Sequence, residues 1–478
     1  MLIDPQQILL YIAPLLRYLS GPLLGPERLH AMVPQKSKIL DINAHILHAF
    51  MKQSCLSDTP LGDHSKPDGS FQEIKLWMSN QVEEYTPYSY EQIETMHMSF
   101  AEISETVELL SNSPVADFLV DFIPSQSPKW IGISILFSGQ TLFSMLLANL
   151  FRKKHPKCTI IVGGAHITAL QSKIENDTRY GEFFDGFVFG PAEKTFLELV
   201  QMNNPIDHKY VYTAGTKNTK RAIEDINTLT PKLPNIHLYG IPSLSIPIQL
   251  SRGCAYGQCS FCTYPSTEGH YRPSNFDGMD EMIELASSHQ ASLVFKDSYV
   301  VPKRIKQFGE IINGRVHWAI CTRLDTRFKR SDWELLDKQG LRTIEIGLES
   351  ISSTTLQQVN KHQKLSVLYE LFENLRNLNI HLVLNLMTGF PRETYQDWAE
   401  LNKEIKMWEN KYKDVHFSVE KNIFQLEEGS EMEKNASQYE ITIHKSFPWT
   451  TVCQWDHPKW VMNPEVIQWQ GHSIRREK

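Results

Sequence analysis

Ser251-Arg252-Gly253-Cys254-Ala255-Tyr256-Gly257-Gln258-Cys259-Ser260-Phe261-Cys262 carries three cysteines spaced C-x4-C-x2-C. The apolar run Ile246 to Leu250 just before it reads as a strand. Three thiolates leaving one short loop at a strand end suit three irons of a 4Fe–4S cluster and leave the fourth iron open to an outside ligand. Two other readings compete. A structural zinc ion wants four protein ligands, and the fourth would have to be His270, well down an open loop. The blander reading is three unconnected buried thiols, but free cysteines are usually scattered through cores rather than gathered in one loop.

Working outward, 478 residues and 55.2 kDa leave room for two or three domains. A hydrophobic content of 41% and a charged content of 22% are ordinary for a globular chain. The net charge of −7 provides no basic field, so nucleic acid is not an expected partner. Seven cysteines, mostly far apart, do not look like a disulfide framework. A reducing cytoplasm suits free thiols and a labile cluster alike. The apolar stretch Ile8 to Leu16, interrupted by Pro14 and Arg17, is too short to span a bilayer and lacks a signal peptide's basic start. Neither secretion nor membrane insertion is expected.

Upstream of the cysteines, Pro14, Pro22 and Pro26 separate helical pieces, and Lys38 to Ala44 reads as a short strand. Residues 46 to 125 are mixed and mainly helical, with a polar insertion around Ser57 to Gly69. Trp130 to Phe137 is an apolar strand, Thr141 to Lys154 a helix with good apolar periodicity, Cys158 to Val162 a strand closing on Gly163-Gly164, and Gly186 to Phe189 another strand. Alternating strands and helices predict a doubly wound, Rossmann-like domain over residues 1–202, with a cofactor at the carboxyl ends of its strands. Glycine at a strand end lets a cofactor approach the backbone, and an ordinary turn would want it equally. Residues 203–245, with Pro205, Pro231, Pro234 and Pro242, read as a linker.

Downstream, strands are expected at Ser292 to Phe295, Val316 to Ile320, Thr343 to Ile346, Leu382 to Leu386 and Val415 to Glu420. Helices fill the gaps at Met279 to Ser288, Lys303 to Ile312, Ser331 to Lys338, Ser352 to Val359, Leu365 to Leu378 and Thr394 to Trp408. With the strand before the cysteines this makes six β/α units, a partial (β/α)6 barrel over 246–425. Residues 426–478 form a small C-terminal extension rich in tryptophan (Trp449, Trp455, Trp460, Trp469), which reads as a satellite core in preference to a substrate cap.

From about residue 245 to 425 the chain resembles the radical S-adenosylmethionine (SAM) enzymes. Their common loop is C-x3-C-x2-C with an aromatic before the third cysteine; here Phe261 is that aromatic, and the first gap is one residue longer. The longer form is similar to branches that methylate peptides and other natural products. Gly347-Leu348-Glu349-Ser350 resembles the family's Gly-x-Glu-Ser element, and Met387-Thr388-Gly389-Phe390-Pro391-Arg392-Glu393-Thr394 its G-F-P-x-E-T turn. The resemblance implies cluster ligation by Cys254, Cys259 and Cys262. It implies SAM contacts from Phe261, Asp297, Ser298, Arg323, Glu349, Ser350, Met387 and Gly389. The preceding 240 residues resemble the cobalamin-binding domain fused to one large branch. Ser134-x-Leu136 and Gly163-Gly164 carry that likeness, together with the turn at Gly190. It implies cobalamin contacts from Ser134, Leu136, Ser138, Gly139, Gly163, Gly164, His166 and Gly190. The family's D-x-H-x-x-G element is absent: Asp41 to His45 and Asp63-His64 both have the wrong spacing.

The resemblance implies a cytoplasmic C-methyltransferase acting on an unactivated carbon of a peptide or other small-molecule natural product. A 5′-deoxyadenosyl radical would abstract hydrogen, and methylcobalamin would deliver the methyl group. An external one-electron reductant such as flavodoxin or ferredoxin is an expected partner; nucleic acid and membrane are not. Two rivals stand beside it. One is a radical SAM enzyme that closes a ring or rearranges its substrate with cobalamin bound; the other is a non-catalytic iron–sulfur and cobalamin-binding protein. No catalytic residue is assigned.

Overall fold

A computed structural model describes residues 7–14, 21–56, 68–215, 221, 231–239, 244–324, 327–469 and 474–475. Most of the expected polar insertion at Ser57 to Gly69 lies outside them, as does Pro242. The chain forms two compact units, one of residues 1–245 with 447–451, the other of residues 246–446 with 452–478.

The first unit is built on a parallel five-stranded sheet. Its elements are β1 (Ile8–Ile12), α1 (Leu24–Met32), β2 (Ser37–Asp41), α2 (Ile42–Leu56), α3 (Asp68–Tyr85), α4 (Tyr90–Thr95), α5 (Phe100–Leu110), α6 (Pro114–Val120), β3 (Trp130–Ser134), α7 (Thr141–Lys154), β4 (Thr159–Gly163), α8 (Ala165–Ala169), α9 (Gln171–Asn176), β5 (Gly186–Phe187) and α10 (Glu193–Gln201). The strand order is β2-β1-β3-β4-β5. Leu9 and Tyr11 enter one core, while Ile8, Leu10 and Ile12 enter the other. A strand buried on both faces reads as an unbroken apolar run. That is why Ile8 to Leu16 showed only an apolar stretch among helical pieces, where the structure has a strand in the interior of the sheet. The expected strand at Lys38 to Ala44 ends at Asp41, because Asp41 Oδ1 accepts from Ala44 N at 3.0 Å and starts α2.

Several described residues of the 203–245 stretch are packed into this unit. Tyr212 bridges to Phe187, and Tyr239 is buried with its hydroxyl donating to Asp41 Oδ2 at 2.6 Å. Residues 447–451 complete the same core. Trp449 is fully buried against Tyr180 and Phe184, with ring centroids 4.6 and 5.9 Å away. Lys173 Nζ donates to the carbonyls of Phe447 (2.5 Å) and Thr450 (2.8 Å), and Tyr180 OH to that of Pro448.

In the second unit β6 (Ser245–Ile248) leads to the short pair β7 (Ser251–Arg252) and β8 (Arg272–Pro273), with the cysteines between them and α11 (Tyr264–Thr267) after Cys262. There follow α12 (Met279–Ser288), β9 (Ser292–Phe295), α13 (Pro302–Ile312), β10 (Trp318–Thr322), α14 (Arg330–Lys338), β11 (Leu341–Glu349), α15 (Ser353–Gln358), α16 (Leu365–Leu375), β12 (His381–Thr388), α17 (Tyr395–Lys411) and β13 (Phe417–Ile423). The sheet order β6-β9-β10-β11-β12-β13 follows the chain, with parallel pairing and crossover helices. Among the described residues the sheet does not close; Ile474–Arg475 pairs antiparallel on β13. This is the open partial barrel expected from the alternation of elements. Trp455 and Cys453 join Phe390, Phe424 and Leu426 in a separate small core, so this part of the extension is a satellite core.

Candidate active site

The cysteine loop is fastened at both ends. At its start Asp297, just beyond β9 and buried, accepts from Leu250 N at 3.1 Å and from Ser251 Oγ. Gly253 has φ +68°, and a Cβ there would lie 2.6 Å from Gly269 O and 2.7 Å from His270 O. Only glycine lets the returning strand pass so close. The His270 side chain is exposed. The donor set suits a cluster, which offers each thiolate a different iron.

The far wall of the loop is the turn after α15. Four successive carbonyls accept from the loop or from Arg323. Gln358 O takes Ser260 Oγ at 3.3 Å and Val359 O takes Ser260 N at 3.1 Å. Asn360 O takes Tyr256 OH, and Lys361 O takes Arg323 Nη2 at 2.5 Å. Asn360 Nδ2 returns a bond to Gln258 O at 2.9 Å. Arg323 also lies over the Tyr256 ring, 3.5 Å from its centroid, with Nη1 4.0 Å from Cys259 Sγ. Arg323, expected from the resemblance as a SAM contact, is thus built into the loop's support.

Glu349 ends β11 in the left-handed region (φ +65°), a conformation that disfavours any side chain. It is 7% exposed, as is Lys361, and Lys361 Nζ lies 2.7 Å from Glu349 Oε1. Burial alone would push the Lys361 ammonium down; Glu349 and Cys259 outweigh it and hold it above its ordinary range. Burial pushes the Cys259 thiol up, against the pull of Lys361 and Arg323, and pushes Cys262 up to about 12.

The remaining expected SAM contacts lie in the cysteine loop or at the ends of β9, β11 and β12. Ser350 is buried and its Oγ accepts from Ser352 N at 3.1 Å, shaping the entry to α15. Ser298 Oγ is buried with no hydrogen-bond partner, the orphan a bound polar ligand would satisfy. Gly389 has φ +85°, and the turn it opens is organised by buried Glu393, whose carboxylate accepts from Gly389 N (2.5 Å), Phe390 N (3.1 Å) and Thr388 Oγ1 (3.2 Å). Phe390 stacks on Phe424 and lies 5.9 Å from Phe261; Met387 packs on the same small core. Lys361, Tyr256 and Glu393 were missed as site residues by sequence reasoning. Lys361 stands twelve residues beyond Glu349 with no motif around it, and only the fold joins them.

In the first unit the carboxyl ends of β3, β4 and β5 lie side by side. Ser134 pairs with Gly163, and Ile135 N donates to Gly163 O at 2.8 Å. Gly164 has φ +110°, with its missing Cβ only 2.4 Å from Ile135 O, so it seals β4 against β3. Leu136 N donates to Gln140 Oε1 at 2.8 Å, and Gly139 is buried beside it. Ser138 Oγ donates to Glu94 O at 3.0 Å, and Gly190 N to Thr168 Oγ1 at 2.9 Å. His166 is turned into the core: Nε2 donates to Trp449 O at 3.0 Å, and burial pushes the ring down to about 4, so it stays neutral. Thr141 Oγ1, at the start of α7 just beyond this edge, is buried without a hydrogen-bond partner and fits a polar ligand there. The backbone from Ser134 to Gly139, with Gly163 and Gly190, would hold a cobalamin at this edge.

Residues 248–405 match the Radical SAM superfamily, and this part of the chain is a radical SAM domain. Over 90% of its length the chain has the fold of TsrM from Kitasatospora setae, a radical SAM methyltransferase solved with cobalamin and a [4Fe-4S] cluster bound. The TM-score is 0.57 at 15% identity over 75% of that chain. It is similar also to OxsB, a cobalamin-dependent SAM radical enzyme solved with aqua-cobalamin, with TM-score 0.62 and 12% identity over 94% of this chain and 64% of that one. By sequence it is 25% identical to the bacteriochlorophyllide d C-12(1)-methyltransferase of Chlorobaculum tepidum, over 49% of this chain and 52% of that one. It is equally distant from the ribosomal protein uS12 methylthiotransferase RimO of Bacteroides thetaiotaomicron, 25% identical over 46% and 53%. The chain spans about half the length of these two relatives.

Proposed function

We propose that the chain is a cobalamin-dependent radical SAM C-methyltransferase acting on a peptide or other natural product. The observation that carries the reading is the way Arg323 and Glu349, each at or beyond the end of a barrel strand, meet Lys361 of the turn after α15 beside the Cys254–Cys262 loop; that end of a parallel barrel is where active sites sit. When bound, the cluster and SAM supply a carbon-centred radical and cobalamin a transferable methyl group, and the protein supplies placement. Cys254, Cys259 and Cys262 would hold the cluster. Glu349 and Ser298 are the polar groups available to SAM, and Asp297 keeps the loop's first strand in register. The Gly389–Glu393 turn and the aromatic pair Phe390 and Phe424 shape the apolar side of the pocket and exclude water. The first unit would present cobalamin from the ends of β3, β4 and β5.

Anaerobically reconstituted protein should show both cluster and cobalamin in its visible spectrum. With substrate, SAM and a low-potential donor it should release S-adenosylhomocysteine alongside deoxyadenosine. Deoxyadenosine without S-adenosylhomocysteine would sink methylation and leave the ring-closing or rearranging enzyme; neither product would leave the binding protein.

A further inference from the structure

We infer that Lys361 is a positioning residue of the cluster site: its ammonium clamps the Glu349 carboxylate and offsets the pull of that negative charge on the reduction potential of a cluster held at Cys259. The inference rests on reading Cys254–Cys262 as a cluster loop.

The backbone makes the case first. Asn360 and His362, on either side of Lys361, both sit in the left-handed region (φ +52° and +48°), as does Glu349 (φ +65°). Three such residues within one small region carry a steric cost that persists only where the surroundings over-determine the conformation. Here they do: the carbonyls from Gln358 to Lys361 are all engaged by the cysteine loop or Arg323. The result aims Lys361 Nζ inward, onto Glu349 and 6.0 Å from the Phe261 ring centroid. Nothing in a simple helix-ending turn requires that.

Charge makes the case second. A cluster on three thiolates gains a further negative charge when it accepts one electron from an external low-potential donor. A buried cation nearby favours that step and a buried carboxylate opposes it, both strongly in a low-dielectric site. Lys361 Nζ stands 6.0 Å from the ring centroid of Phe261, the residue before Cys262, and the Lys361 carbonyl accepts from Arg323, whose Nη1 lies 4.0 Å from Cys259 Sγ. Paired, Lys361 and Glu349 nearly cancel; alone, each pulls the potential its own way.

The test is an EPR-monitored redox titration of the full chain after cluster reconstitution, without SAM. Lys361→Met should shift the midpoint to more negative values and Glu349→Gln to less negative ones. The double variant should return close to wild type, and Lys361→Arg, which keeps the charge, should stay there. A purely structural role would not produce opposite signs. If Lys361→Met does not load a cluster, Glu349→Gln against Lys361→Arg still decides by its sign. Loaded variants whose midpoints coincide with wild type, or that all shift one way, overturn the inference alone. Wild-type protein that takes up no cluster overturns the reading beneath it as well.

Discussion

Glu349 Oε1 lies where a Cβ on residue 347 would have to stand, 2.3 Å from it, with Lys361 Nζ 3.0 Å from the same point. Gly347 is therefore the floor on which the ion pair rests. Gly347→Ala should force the carboxylate off its position, destabilising the second unit by about 1–3 kcal/mol and weakening SAM binding about tenfold. Calorimetry of the cluster-loaded protein against SAM checks it, with thermal unfolding alongside. An unchanged affinity would show that Glu349 does not face the ligand.

Replacing Cys254, Cys259 or Cys262 by alanine should each abolish the cluster and SAM cleavage while sparing cobalamin. Iron and sulfide analysis reads the first, and the corrin absorbance the second. Loss of cobalamin in all three variants would mean that the upstream sheet is not an independent cofactor unit.

Glu27 in α1 is fully buried, and neither carboxylate oxygen has a hydrogen-bond partner. Burial, with Asp41 adding to it, pushes the carboxyl from 4.5 up to about 9. Because the folded value is raised, its contribution to stability is complete below the unfolded value of about 4.5 and is lost as pH rises toward about 9. Glu27→Gln should therefore leave the first unit's unfolding temperature nearly unchanged at pH 4.5. At pH 8 it should raise it by about 3 °C or more. Thermal scans at the two pH values decide the matter, and equal shifts at both would sink the account.

Trp449 fills the first unit's core from the far end of the chain. Trp449→Ala should cost that unit about 3–5 kcal/mol. Lys173→Met, which removes the ammonium bonded to the Phe447 and Thr450 carbonyls, should cost about 1–3 kcal/mol. Hydrogen exchange over residues 165–184 reports both. Exchange that is unaffected there would show that the segment only lies against the unit.

What sequence could show followed from local pattern. The cysteine spacing, the Gly347-Glu349 and Gly389-Glu393 stretches and most barrel strands were legible because each is contained in a few consecutive residues. β1 was not, since a strand buried on both faces has no alternation to display. Lys361 was not, because its meaning depends on a twelve-residue return to Glu349. His166 was expected, from the resemblance, as a cobalamin contact; its partner, the Trp449 carbonyl 283 residues away, was not legible. Pairings of that kind exist only once the chain has folded.

That last pairing bears on how the protein is made. The sheet of the first unit is encoded by residue 212 or so, yet its core stays open until residues 447–451 arrive. At ordinary elongation rates the ribosome needs on the order of 10–40 s to cover the intervening two hundred residues. During that interval the hollow that Trp449 will fill is exposed, lined by Tyr180 and Phe184. The amino-terminal half is thus expected to finish folding late, once residues 447–451 have been made. A nonsense mutation near the carboxyl terminus would be felt first in the domain synthesised earliest.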